Sequence, residues 1–174
     1  MAIFKIQTAS STVNWSGKKV LGLHTGGINI TNGFIETTDN LIKSGEIQID
    51  MTSIVITDIE DKKTHDDFLG HLKSDDFFAV DKFKIAKFVI SGSEKTANNK
   101  LKIDGILTIK DISHPVSFIA SVEIFTDFLH SLGEIIIDRT MYNIRYGSDK
   151  FIDNLGDKLI HDEFVLQFKL IGQV

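Results

Sequence analysis

The feature that most constrains this chain is an alternation of apolar and polar residues with period two, the spacing that turns every other side chain to one face of a β-strand. In Glu46–Met51, residues Ile47, Ile49 and Met51 share one face and Glu46, Gln48 and Asp50 the other. Leu101, Ile103, Gly105, Leu107 and Ile109 repeat the pattern, as do Val116, Phe118, Ala120, Val122 and Ile124. Phe164, Leu166, Phe168 and Leu170 close the series. One apolar face per strand describes strands buried on one side, which excludes a parallel sheet covered on both. Eight or more such strands in 174 residues predict an all-β domain, sandwich or barrel, occupying 1–174 as one unit.

Turn-forming clusters divide the strands. Thr31-Asn32-Gly33 predicts a hairpin between strands ending near Ile30 and beginning near Phe34. Ser44-Gly45, Ser91-Gly92-Ser93 and Thr96–Asn99 predict further turns. The single proline, Pro115, is expected at the start of a strand, where a missing N–H matters least. Between residues 58 and 77 the period breaks. Ile59, His65, Phe68, Leu69 and Leu72 recur at helix-compatible spacings and predict one or two short helices. Thr64–Asp67 reads as an N-cap with its first turn, and Ser74–Phe77 as the start of another helical turn. Such an insertion is expected to close one end of a barrel.

Composition removes several classes of function. A net charge of -5 with no run of Lys or Arg excludes a nucleic-acid partner. With no cysteine there is no disulfide framework, thiolate metal site or cysteine nucleophile. No apolar run is long enough for a transmembrane helix. Met1–Gln7 lacks a charged segment followed by an apolar one, so the expected location is cytoplasmic, or periplasmic or secreted if a signal has been removed. The 13 Phe against 2 Tyr and 1 Trp favour a dry interior, because Phe has no polar handle.

Chemistry-bearing constellations are scarce. His65 and His71 are six apart, and Asp58–Asp61 lacks the glycine and closing glutamate of a calcium loop, so no metal and no cofactor are expected. No G-x-S-x-G occurs, and the adjacent carboxylates Asp66/Asp67 and Asp75/Asp76 suit helix starts better than acid–base pairs. No catalytic residue is assigned. Arg139, after the apolar run Ile135–Ile137 and Asp138, either meets a phosphate or pairs with Asp138 or a neighbouring acid. Trp15 and His24 either line a pocket mouth or belong to the core.

Three longer motifs carry a family resemblance. Ile49–Val80 contains Ser53-Ile54 and closes on His71-Leu72-Lys73-Ser74-Asp75-Asp76-Phe77-Phe78. Gly105–Val116 reads GILTIKDISHPV, and Asp138–Gly147 reads DRTMYNIRYG. Together they resemble the YceI-like family of lipocalin-like, polyisoprenoid-binding proteins, over Phe4–Leu170. Two positions depart: Lys84 follows Phe83 where the family usually has proline, and Asp111 stands where glycine is common. The resemblance implies an eight-stranded antiparallel lipocalin-like barrel around a tunnel for a polyisoprenoid or fatty-acid-like chain. Many members are exported.

In such a barrel the apolar faces become the wall. Ile49, Met51, Phe88, Leu107, Phe118, Val122, Ile137, Phe164 and Phe168 are the candidate ligand contacts, with Trp15, His24 and Arg139 at the rim. The partner implied is a long-chain isoprenoid or acyl lipid, and a homodimer is a second candidate because open barrel ends can be buried against a copy. A non-catalytic carrier competes here with an enzyme acting on an isoprenoid-type substrate in the same pocket, and with a side-chain-filled interaction module.

Overall fold

The computed structural model describes residues 1–174. Nine strands form one antiparallel sheet: β1 (Ala2–Ile6), β2 (Thr12–Lys19), β3 (Gly22–Thr38), β4 (Leu41–Ile56), β5 (Ile85–Lys95), β6 (Leu101–Ile109), β7 (Ile112–Ile124), β8 (Phe128–Asp138) and β9 (Ile160–Gln173). The order β3-β2-β9-β8-β7-β6-β5-β4 returns to β3 through a β3–β4 pairing, so the sheet closes as an eight-stranded barrel. β1 continues the position of β2 between β3 and β9, with Phe4 opposite Ile35 and Ile6 opposite Gly172. Closure removes the exposed edges that an open sheet would leave. It also turns all the apolar faces read from the sequence toward one interior.

Three of the expected turns lie inside strands. Thr31-Asn32-Gly33 is a bulge in β3, where pairing with β4 shifts between Ile30 and Asn32 and the Asn32 side chain accepts the Gly33 N–H at 2.8 Å. Ser44-Gly45 lies within β4, and Ser91-Gly92-Ser93 spans a register shift in β5. Long strands that curve around a barrel need such irregularities, and the turn-prone residues supply them. The hairpins instead turn on Asp39-Asn40 and Lys110-Asp111, whose φ angles of 55°, 59°, 53° and 58° suit two-residue turns that match strand twist. Asp111 thus occupies a left-handed position that glycine would hold with less strain. Thr96–Asn99 forms its expected turn, closed by the Thr96 N–H on the Lys100 carbonyl at 2.8 Å.

Pro115 is the fourth residue of β7, not its first. β7 and β8 pair only over Ala120–Ile124, so Pro115 faces β6 on one side and no strand on the other. That free side accommodates the missing N–H.

The expected helical region becomes one helix, α1 (Lys62–Lys73). Its N-cap is Asp61, three residues before the expected Thr64, and accepts from the Thr64 N–H at 2.8 Å and hydroxyl at 2.7 Å. Residues 74–80 follow as turns, with the Ala79 N–H on the Ser74 carbonyl at 2.8 Å. They bring Phe77 and Val80 into a cluster with Leu72, Ile54, Tyr142 and Ile144 that covers one end of the barrel. The opposite end is sealed by Phe4, Ile35, Ile42 and Leu129, each at most 1% exposed.

Candidate ligand-binding cavity

Between the covered end and the sealed end the inward side chains do not all meet. Phe88, Phe118, Phe164 and Phe168 point inward yet remain only partly buried, because each presents a face to an internal cavity. The cavity has 36 lining residues, 28 of them hydrophobic, and about 190 Å³ open to the centre of a water molecule. It runs along β9 from Ile160 to Leu170, about 33 Å of strand, or about 25 Å of depth at a typical barrel tilt. Spread over that length, the space gives a channel of about 3 Å mean radius once the radius of a water is added. A hydrocarbon chain, with a half-thickness of about 2 Å, fits singly and not in pairs.

Ring placement keeps the channel open. Phe88 and Phe168 flank Phe118, both at 5.6 Å between ring centroids. The tips of both outer rings sit over glycine backbone. A Cβ at Gly105 would stand 2.5 Å from Phe88 Cζ, and one at Gly133 would stand 2.5 Å from Phe168 Cζ. Only glycine lets the rings retreat this far from the axis. Nearer the covered end, Phe164 meets Phe78 edge-on at 6.4 Å.

Of the residues singled out from the sequence, Ile49, Met51, Phe88 and Leu107 line the cavity. So do Phe118, Ile137, Phe164 and Phe168. Val122 does not; it packs against the sealed-end cluster instead. Trp15 lies in the wall and donates its indole N–H to the Val55 carbonyl at 3.2 Å. His24 stands at the rim, its Nδ1 2.8 Å from Asp58 and its ring 4.8 Å from Phe68. Burial works to raise the Asp58 pKa, but hydrogen bonds from the Thr25 N–H and from His24 outweigh it and hold the carboxyl below its ordinary value.

Arg139 reaches the lining and has three of its five N–H donors engaged. Nε donates to His161 O at 3.1 Å, Nη1 to Ile144 O at 2.8 Å and Nη2 to Ile160 O at 3.0 Å. Its acidic neighbour is Asp162, at 3.8 Å, whereas Asp138 binds Lys150 and Thr140. Burial lowers its pKa, and the charges of Asp162 and Asp138 oppose that shift. The side chain staples the turn after β8 to the start of β9.

Lys18, Lys19, His161 and Glu163 also border the cavity, near β2 and the start of β9. Lys19 Nζ sits 5.3 Å from the Phe68 ring centroid. His71 packs edge-on against Tyr146 at 4.3 Å and Phe77 at 5.2 Å, and burial lowers its pKa. The sequence reading passed over Phe68, Phe78 and Ser131 as lining. Phe68 belongs to the segment expected to close the barrel end, and a cap over a barrel faces its lumen; Phe78 lies one residue beyond that segment. Ser131 carried no signal, because Phe128–Gly133 lacks a clean alternation.

A closed eight-stranded antiparallel barrel with an apolar interior channel and one helix over its end defines a lipocalin-like binding fold. The chain belongs to the YceI-like domain family, whose model matches residues 4–171. Burkholderia cenocepacia BcnA is similar in structure, with a TM-score of 0.75 at 22% identity over 95% of this chain and 98% of that one. A polyisoprenoid binding domain from Saccharophagus degradans, implicated in plant cell wall breakdown, gives 0.73 at 14% identity, with 98% of each chain covered. The Campylobacter jejuni YCEI protein gives 0.59 at 17% identity, over 91% of this chain and 84% of that one. No curated protein sequence matches the chain. No helix is long and apolar enough to cross a membrane.

Proposed function

We propose that the barrel carries one long apolar chain, a polyisoprenoid or a fatty-acid-like lipid, and does not transform it. The observation that supports this most is the set of inward Phe rings held back from the axis, leaving a channel of single-chain width. Each methylene moved from water into such a channel gains about 0.8 kcal/mol, so a twenty-carbon chain gains roughly 16 kcal/mol gross. Association and ordering costs of order 4–15 kcal/mol still leave net binding. The Saccharophagus degradans relative, described as a polyisoprenoid binding domain, is consistent with that ligand class.

In this reading Phe88, Phe118, Phe164 and Phe168 grip the chain along its length, with Ile49, Met51, Leu107 and Ile137 between them. Trp15 and His24 meet it near the rim. Arg139 is a structural residue in this reading, because its side chain is almost fully buried and three of its five N–H groups hold backbone carbonyls. Carriage rather than turnover is favoured by a lining in which 28 of 36 residues are hydrophobic, with the lysines and His24 gathered at the rim.

Trp15 is the only tryptophan and lies in the cavity wall, so its fluorescence reports occupancy. Titration with a C15–C20 prenol or a C16–C18 fatty acid should give a saturable change at one equivalent. An unchanged spectrum across all of these chains, in protein that is folded by circular dichroism, refutes the carrier reading.

A further inference from the structure

The cavity wall contains one feature that apolar binding does not explain. Ser131, in β8, is 2% exposed, lines the cavity and sits opposite Val122 on β7 and Leu170 on β9. That places it near the sealed end, about 25 Å below the rim at a typical barrel tilt. The lining residues that belong to the sealed-end cluster are Val13, Ile35, Ile42, Ile47, Ile90, Ile103 and Leu170, all apolar. Of the other buried polar side chains, Arg139 donates to three carbonyls, Ser11 bonds both backbone groups of Ile171 and Ser148 accepts from the Lys150 N–H, while Thr37 makes no such bond but lies outside the cavity lining. The Ser131 hydroxyl takes part in no hydrogen bond, and it is not enclosed by protein as the orphaned His130 Nε2 and Asp162 Oδ1 are. It is open to the channel floor.

We infer that the floor of the channel recognises a neutral oxygen on the ligand, held by the Ser131 hydroxyl; this rests on the carrier reading above. The ligand is then an apolar chain bearing a hydroxyl or carbonyl at the end that travels deepest, not a plain hydrocarbon tail. A hydroxyl both donates and accepts, so it serves either group. The oxygen must be neutral. No charged side chain lines the floor, and an unpaired carboxylate or phosphate there would be prohibitively desolvated. Any charged head group belongs at the rim, where Lys18, Lys19 and His24 stand.

The test pairs ligand and protein in a double-mutant cycle. Saturated fatty acids of graded length and their ω-hydroxy analogues are titrated against the natural protein and Ser131→Ala, with Trp15 fluorescence as the readout. Ser131→Ala should weaken the ω-hydroxy series by about 3- to 10-fold at the length that spans the channel, as for one buried hydrogen bond. The plain series should be unchanged or slightly tighter. An equal effect on both series, or none on either, overturns the inference and leaves Ser131 as a space-filling residue in a working carrier. Failure of every chain to bind the natural protein overturns the carrier reading itself, and the inference with it.

Discussion

Gly133→Ala narrows the channel at one defined level. The new Cβ would lie 2.5 and 2.8 Å from two ring atoms of Phe168 and 3.1 Å from the Ala120 Cβ. Carbon atoms pack at about 3.5–4.0 Å, so the ring must retreat by about 1 Å. Backbone stands on one side of it and the channel on the other, so it retreats into the channel. A channel of about 3 Å radius has about 1 Å to spare around a hydrocarbon chain, and the displaced ring consumes it. From Phe168 to Leu170 is about 7 Å of strand, or about 5 Å of depth, room for about four carbons. At about 0.8 kcal/mol each these carry about 3 kcal/mol, or roughly a 100-fold loss of affinity. Long chains should therefore bind Gly133→Ala about 100-fold more weakly, whereas chains short enough to stop above Phe168 bind as before. Trp15 fluorescence titrations over a length series measure this directly. Gly22→Ala, where nothing lies within 4 Å of the added Cβ and which is outside the cavity lining, is the matched control. A uniform loss at all lengths, or an unchanged long-chain affinity, would refute the claim that Phe168 stands beside an open channel.

Other consequences follow from the same geometry. Arg139→Met removes the donors to the Ile144, Ile160 and His161 carbonyls, while Lys150 still pairs with Asp162 at 3.1 Å, and should cost about 3 kcal/mol and lower Tm by about 10 °C in calorimetry; an unchanged Tm contradicts its role as a staple. His71 has a folded-state pKa below its ordinary 6.5, so the unfolded chain binds the proton more readily and stability falls as pH drops below about 6.5. His71→Phe should flatten that part of the stability-versus-pH curve, and an identical curve would remove His71 as its source. Asp61→Ala deletes the cap of α1 and should cost about 1 kcal/mol, seen as faster hydrogen exchange over Lys62–Asp66 with little change in the barrel.

Much of this architecture was legible because one physical signal, the period-two face, repeats through most of the chain. The faces of Ile47–Met51, Leu101–Ile109 and Phe164–Leu170 all point where their alternation says they should. Register was not legible. Thr31-Asn32-Gly33 has the composition of a hairpin, but the interior has to be closed by strands of up to 17 residues, and curvature turned that motif into a bulge. Val122 shows the same limit at the site. Alternation places it inward correctly, but how far down the barrel it sits depends on register, and it falls beside the sealed end. Gly105 and Gly133 hold the rings off the axis, yet in sequence each is one more glycine in a strand. Ser131 was hidden because its strand mixes His130, Ser131 and Gly133 with its apolar residues, and a polar residue facing inward violates the pattern used to find it.

The central claim is that the barrel holds one apolar chain, and native mass spectrometry of the purified protein, with extraction and identification of released compounds, tests it most directly. The account predicts a mass excess equal to one prenyl or acyl lipid per protein, removed by organic solvent and restored on incubation with the extracted lipid. A protein that runs at its bare mass, and stays there after incubation with prenols and fatty acids, contradicts it and points to an interior that serves only to support the barrel as an interaction module.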